Sequence, residues 1–186
     1  MMPKEIFRSN KGQALLELTL IVPLMLLLVY GVVEVGSAVS TYLTITHTSR
    51  EGANLTSRGT DQDDALDAII AAASPTIDNG NLTQWRIIYT KIVQAPGVPC
   101  PPQTPCDYIV EEQEIRGSLA QNSKIGPVGA VVNANIGGFD SVAPFQTFHA
   151  IEVFYDYGPD VITFVGNGFN QIFYDRSIFT NVSGTA

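Results

Sequence analysis

Basic residues are scarce in this sequence, and the few that it has are concentrated at one end. The chain has 186 residues, with 10 Lys and Arg against 18 Asp and Glu, and a net charge of −8. Lys4, Arg8, Lys11 and Glu5 give the first twelve residues a charge of +2, which leaves −10 for the rest. A nucleic-acid backbone is bound by clustered Lys and Arg. The acidic body therefore argues against a nucleic-acid partner and is typical of a solvated surface.

Catalytic motifs are missing as well. The sequence contains no P-loop, no dinucleotide-binding glycine pattern, no Gly-x-Ser-x-Gly and no His-Glu-x-x-His. His149 precedes a predicted strand and could pair with Asp156 or Glu152, but a lone His at a strand edge is more often structural than catalytic. The only other histidine is His47. We expect no enzymatic activity, no cofactor and no metal site.

One long apolar run dominates the first third of the chain. From Ala14 to Val33 the only charged residue is Glu17, and thirteen of the twenty residues are Leu, Ile or Val. Twenty helical residues rise about 30 Å, which is the thickness of a hydrocarbon core. All nearby basic residues precede the run, so the positive-inside rule predicts a cytoplasmic N-terminus and an extracytoplasmic remainder. The sequence thus predicts a single-pass membrane protein.

Three interpretations of this run remain open. A secretory signal peptide cut after Ala38 fits the small residues there, but the apolar core is longer than the usual ~7–15 residues and Glu34 lies just before the cut. An uncleaved anchor is the second interpretation. The third assigns a role to Glu17, because an ionisable residue inside a span is by default a functional candidate.

A cut between Gly12 and Gln13 would give Glu17 that role. It would create an α-amino group on Gln13 and place Glu17 at the fifth position of the mature chain, about one helical turn along. The amine of a neighbouring subunit can there neutralise the carboxylate at low dielectric. Gly12 suits the extended backbone of a substrate in a protease cleft. The pattern predicts cleavage after Gly12 and assembly through Glu17.

The residues around this site resemble those of type IV prepilins, and in particular the TadE-like proteins of tight-adherence (Tad) pili. The resemblance is carried by Gly12-Gln13-Ala14-Leu15-Leu16-Glu17-Leu18-Thr19-Leu20-Ile21-Val22-Pro23-Leu24, by Gly31-Val32-Val33-Glu34-Val35-Gly36 and by Arg50-Glu51-Gly52-Ala53. It covers roughly residues 12–55. A looser likeness to the terminal strands of TadE-like heads is seen in residues 152–157 and 174–179.

This resemblance implies a minor pilin or pseudopilin that is needed for pilus assembly or adhesion. The implied partners are a prepilin peptidase, other pilin or pseudopilin subunits and the inner-membrane pilus assembly platform. The implied location is the inner membrane, with a periplasmic or extracellular head that is carried into a pilus. The alternative is an uncleaved single-span protein whose head is a binding or adhesion module.

The helical pattern continues beyond the membrane. Apolar and small residues recur at spacings of three and four and predict one buried face, formed by Val35, Ala38, Val39, Tyr42, Ile45, Ser49 and Ala53. Gly59 is a stop signal, so we expect a helix over residues 13–58. Pro23 predicts a local kink, because it cannot donate a hydrogen bond to the carbonyl of Thr19.

The remaining residues predict a small α+β head. A second helix begins in the acidic run Thr60–Asp64 and buries Leu66, Ile69, Ile70 and Ala73. Strands are predicted at 85–93, 108–115, 151–157, 161–165 and 171–180, the second of them acidic and exposed. An antiparallel sheet packed against the helices is the expected architecture. The predicted organisation is a leader at 1–12, a long helix at 13–58 with its transmembrane part at 14–33, and a head at 59–186.

Cys100 and Cys106 are the only cysteines, and they flank a Pro-rich loop. The predicted topology places them outside the cytoplasm, where disulfides persist. We expect a disulfide between them, because a metal site would require further ligands that the two histidines do not readily supply.

Overall fold

A computed structural model describes residues 11–97, 107–132, 146–158 and 171–181 of the chain. Two helices precede four strands: α1 Lys11–Ser57, α2 Gln62–Ala72, β1 Trp85–Gln94, β2 Tyr108–Gly117, β3 Phe148–Tyr157 and β4 Gln171–Thr180. The predicted α+β class, with a long N-terminal helix, a second helix and an antiparallel sheet, is confirmed. The strand predicted at 161–165 lies outside the described residues.

Helix α1 is 47 residues long and contains Pro23 within its length. At about 1.5 Å per residue it measures roughly 70 Å. It ends at Ser57, and Gly59 follows with a φ of +88°, which is the left-handed conformation that glycine adopts readily. The amide of Gly59 donates to the carbonyl of Thr56 at 3.1 Å. The stop predicted at Gly59 is therefore confirmed.

Helix α2 begins after Asp61, whose side chain accepts a hydrogen bond of 2.9 Å from the amide of Asp63. This is the usual way in which an N-cap residue satisfies an otherwise unpaired amide. The predicted apolar stripe of α2 is confirmed, because Leu66, Ile69, Ile70 and Ala73 are all buried.

The strands form one antiparallel sheet in the order β2-β1-β3-β4. Helices α1 and α2 cover one face of it. Their core contains Ile45, Leu66 and Ile69 and packs on Trp85, Ile87, Tyr89, Ile151, Val153 and Tyr155. Alternate residues of β1 and β3 therefore lie on the helix-covered face.

The second face of the sheet is covered too, and the sequence did not predict this. Residues 118–132 cross it and bury Leu119, Ile125 and Val132 among residues of the sheet that include Ile88, Ile92 and Phe148. The prediction that β2 is exposed is wrong at its start, where Tyr108 and Val110 are buried. Polar residues separate the apolar residues of the covering segment, so its sequence has no periodic signal.

Beyond the predicted membrane exit, α1 packs only one side on the head. Ile45, Ser49 and Ala53 are buried there, whereas Val35 and Val39 are 65% and 53% exposed. The prediction is therefore wrong for Val35 and Val39, which the described head does not cover. Val35 and the buried Ala53 are eighteen residues apart, which is five helical turns, so spacing alone could not separate an exposed residue from a buried one.

Candidate functional site

The first turns of α1 hold the residues that the sequence analysis assigns to processing and assembly. The helix already includes Gly12, and a side chain at that position would meet no atom within 4 Å. Glu17 is exposed on the helix surface. Its neighbour Thr19 donates its hydroxyl to the carbonyl of Leu16 at 2.8 Å. The described chain therefore presents Gly12 and Glu17 on an accessible helix end.

The N-terminal half of α1 has an apolar surface. Within the described residues, one helix is long and apolar enough to cross a membrane by length and composition. Only 6% of its most apolar 18 residues are buried against the rest of the chain. An exposed apolar surface of this length is consistent with a single-pass membrane protein.

The head is attached to α1 directly after the apolar run. Glu34 is only 7% exposed, and its Oε1 accepts a hydrogen bond of 2.8 Å from the Tyr157 hydroxyl. The Tyr157 ring stacks on Phe173 at 5.0 Å, and Phe173 meets Tyr42 edge-on at 6.0 Å. This group, Glu34, Tyr42, Tyr157 and Phe173, is called the exit cluster below. It joins α1 to β3 and β4.

A second contact lies higher on α1. Ser49 is fully buried, and its hydroxyl bonds Asp175 and lies 3.0 Å from the Ser177 hydroxyl, both on β4. One turn further, Gly52 brings the helix close to α2 and β3, since a Cβ there would lie 2.8 Å from Ile69 Cδ1 and 3.1 Å from Ile151 Cγ1. Polar bonds and close packing thus fix the upper half of α1 on the sheet.

Glu152 is a fully buried carboxyl group on the second face of the sheet. It accepts hydrogen bonds from the Ser123 hydroxyl, from the amide of Lys124 at 2.9 Å and from the Tyr174 hydroxyl at 2.9 Å. The Lys124 ammonium lies 3.6 Å from the centroid of the Tyr174 ring. Burial, and then the neighbouring Glu152, raise the pKa of Tyr174. These bonds attach the covering segment to the sheet.

His149 lies within β3 and is buried on the helix-covered face. Its Nδ1 is 2.9 Å from the Tyr89 hydroxyl, so the suggested pairing with Asp156 or Glu152 is wrong. Its Nε2 is buried without a hydrogen-bond partner among the described residues. Burial, and secondarily the Lys91 charge, lower the pKa of His149. Burial, followed by Glu112, Glu111 and Asp61, raises the pKa of Tyr89 to about 12.

A cleft of about 650 Å³ opens between α2 and the end of β2, with Asp67, Asp78, Trp85 and Arg116 among its lining residues. The Trp85 indole donates to the carbonyl of Asp78 at 2.8 Å. Arg116 bonds Glu114, and it bonds Asp63 at 2.7 Å, so its charge is already matched by acidic neighbours. No group of three metal-ligating side chains occurs in the described part of the chain. Cys100 and Cys106 lie outside that part, and their disulfide remains a prediction.

The structure thus defines an α+β protein whose long, largely apolar N-terminal helix carries a small head. Residues 12–54 match the family model described as TadE-like protein. The predicted resemblance over roughly residues 12–55 is confirmed, while the looser likeness of the head strands remains a prediction. The match begins at Gly12 and ends within α1, so it covers about a quarter of the chain. No curated protein and no solved structure matches the chain.

The family match suggests a protein associated with Tad pili and with the membrane. The TadE-like family is structural and non-enzymatic. The matched segment could be found from the sequence, because Gly12, Glu17 and the apolar run at 14–33 are adjacent in the chain. It missed the exit cluster, because Glu34 and Tyr157 are 123 residues apart and meet only in the fold.

Proposed function

We propose that this chain is a minor pilin or pseudopilin of a Tad-type pilus. In this proposal, residues 14–33 anchor it in the inner membrane with its N-terminus in the cytoplasm, and the head at 59–186 lies outside. A prepilin peptidase removes residues 1–12 by cutting between Gly12 and Gln13. The chain has no catalytic role of its own and acts with other pilin subunits at the assembly platform.

One observation carries the proposal. The segment that matches the TadE-like family begins at Gly12, includes Glu17 and extends along the apolar helix. Glu17 is exposed on that helix, about one turn after Gln13, which supports the proposal. Subunits packed side by side in a low-dielectric fibre could pair this carboxylate with a neighbour's new amino group. The pair would favour one alignment of neighbouring subunits along the fibre, because an unpaired charge in its low-dielectric interior is costly.

The Glu17→Ala variant tests the assembly role. We expect it to insert into the membrane and to be cleaved normally, but to support far fewer pili, because only the charge pair between subunits is lost. Pili are counted by electron microscopy in cells that lack the native copy, and membrane fractions report insertion. Glu51→Ala is the matched control, since it removes an exposed acidic residue from the upper part of the same helix. Normal piliation in Glu17→Ala cells would refute the assigned role.

The second candidate is an uncleaved single-span protein whose head binds a ligand or a surface. The cleft beside Trp85 and Arg116 is the feature that favours it. The two candidates differ at the N-terminus of the native chain, which would remain Met1 without processing and would become Gln13 with it.

A further inference from the structure

An apolar stripe continues along α1 beyond the predicted end of the transmembrane span. Val35, Val39 and Leu43 follow Val32 at helical spacing, and these three are 65%, 53% and 51% exposed. Glu34, Ile45 and Ser49 of the same helix are buried. We call Val35, Val39 and Leu43 the upper stripe. The described head leaves this stripe uncovered.

Glu34 directly follows the predicted span, but it does not place a charge on the exposed surface. Its carboxyl group is turned towards the head and is bonded to Tyr157. No other Asp, Glu, Lys or Arg follows on α1 until Arg50. Arg50 lies eleven residues after Val39, and therefore on the same side of the helix. The first exposed charged residue after the predicted span is therefore above Leu43, and not directly after Val33.

The length of this surface matches a whole bilayer. From Ala14 to Leu43 the helix rises roughly 45 Å, compared with about 30 Å for a hydrocarbon core and about 40–45 Å for a bilayer with its headgroup regions. The upper stripe accounts for the additional length. A tilt of about 20° would shorten the projected length by only a few ångströms.

Aromatic side chains of the head lie at the same level as the stripe. Tyr157 and Phe173 contact α1 beside Glu34 and Tyr42, and Ile172 next to them is 41% exposed. Aromatic residues with one polar end are enriched at the boundary between lipid and water. The exit cluster therefore has the composition of an interfacial anchor.

We propose that the upper stripe and the exit cluster form a lipid-contacting surface, so that the head rests on the bilayer with Val35, Val39 and Leu43 in the headgroup region. Continuity with the anchor favours lipid as the occupant, because exposed apolar residues continue from the span to Leu43 and no charged side chain is exposed among them. The inference rests on residues 14–33 crossing the membrane, which is part of the proposed function.

Depth-dependent fluorescence quenching tests the inference on the full chain in liposomes. Trp is placed in the span by Leu24→Trp, in the stripe by Val39→Trp or Leu43→Trp, and above it by Arg50→Trp. Trp85 is 1% exposed and gives the same background in every variant. Two sets of liposomes carry phospholipids brominated either near the headgroup end or near the tail end of the acyl chain.

We expect Leu24→Trp to be quenched more by deep bromine, Val39→Trp and Leu43→Trp more by shallow bromine, and Arg50→Trp by neither. Quenching of Leu24→Trp without quenching of either stripe variant would overturn the lipid-contacting surface while leaving the span intact. Absence of quenching in Leu24→Trp would instead refute the span itself. If the stripe variants are quenched only after dilution of protein in lipid, a second copy covers the stripe and the proposal is wrong.

Discussion

At the scale of single residues, buried polar groups determine which substitutions the head tolerates. Glu152, Ser49 and His149 are each at most 8% exposed, and each has a specific partner on another element. None of these partnerships could be predicted from the sequence, because the partners are far apart in the chain and meet only in the fold. A polar residue in a strand is expected to face solvent unless its partner is known.

Replacing Glu152 by Ala should destabilise the head strongly. The change leaves the Ser123 hydroxyl, the Lys124 amide and the Tyr174 hydroxyl without their acceptor, and we expect a loss of about 3 kcal/mol of unfolding free energy. Urea unfolding of the full chain in detergent, followed by Trp85 fluorescence, measures it. Glu111→Ala is the control, because the Glu111 ion pair with Lys91 is partly exposed and worth about 0.5 kcal/mol. Equal losses in the two variants would contradict the role of Glu152.

His149 should make the folded head sensitive to acid. Its pKa in the folded chain lies below the ordinary value of 6.5, so the unfolded chain takes up a proton that the folded chain resists. Its contribution to stability is complete above pH 6.5 and is lost as the pH falls from there towards the folded pKa. The unfolding free energy measured from pH 7.5 to 5.5 should decline less steeply in His149→Gln than in the wild type. An equally steep decline in His149→Gln would argue against this account.

At the scale of elements, the sequence predicts the two helices and the ranges of the four described strands well. The stop at Gly59, the start of α2 in the acidic run 60–64 and the buried stripe of α2 are local signals, and the structure confirms them. The covering segment at 118–132 and the buried side of α1 could not be predicted in the same way. The first has isolated apolar residues without a period, and in the second the same side of the helix is exposed at Val35 and buried at Ala53.

The close approach of α1 to the sheet at Gly52 gives a test at this scale. Gly52→Val would place new methyl groups against Ile69 and Ile151, which are both buried, and overpacking should cost about 2 kcal/mol. Gly36→Val is the matched control on the same helix, because a side chain there meets nothing within 4 Å. Thermal unfolding by circular dichroism compares them. A Gly52→Val chain as stable as Gly36→Val would show that this contact is looser than described.

At the scale of the whole molecule, the chain combines an apolar helix that matches a pilus-associated family with a head that is fixed on its upper half. The exit cluster and the Ser49 contact attach the head at two heights on α1. The anchor and the head therefore move as one body in this account. The apolar run and the resemblance were evident from local sequence, whereas the attachment depends on residues far apart in the chain.

The N-terminus of the native chain tests the central claim most directly. Intact-mass measurement and N-terminal sequencing of protein isolated from its own membranes would identify the first residue. The account predicts Gln13, because the proposed cut after Gly12 would place Glu17 at the fifth position of the mature chain. A chain that begins at Met1 would contradict it, because Gln13 would have no free amino group. A chain that begins directly after Ala38 would also contradict it, because it would lack Glu17.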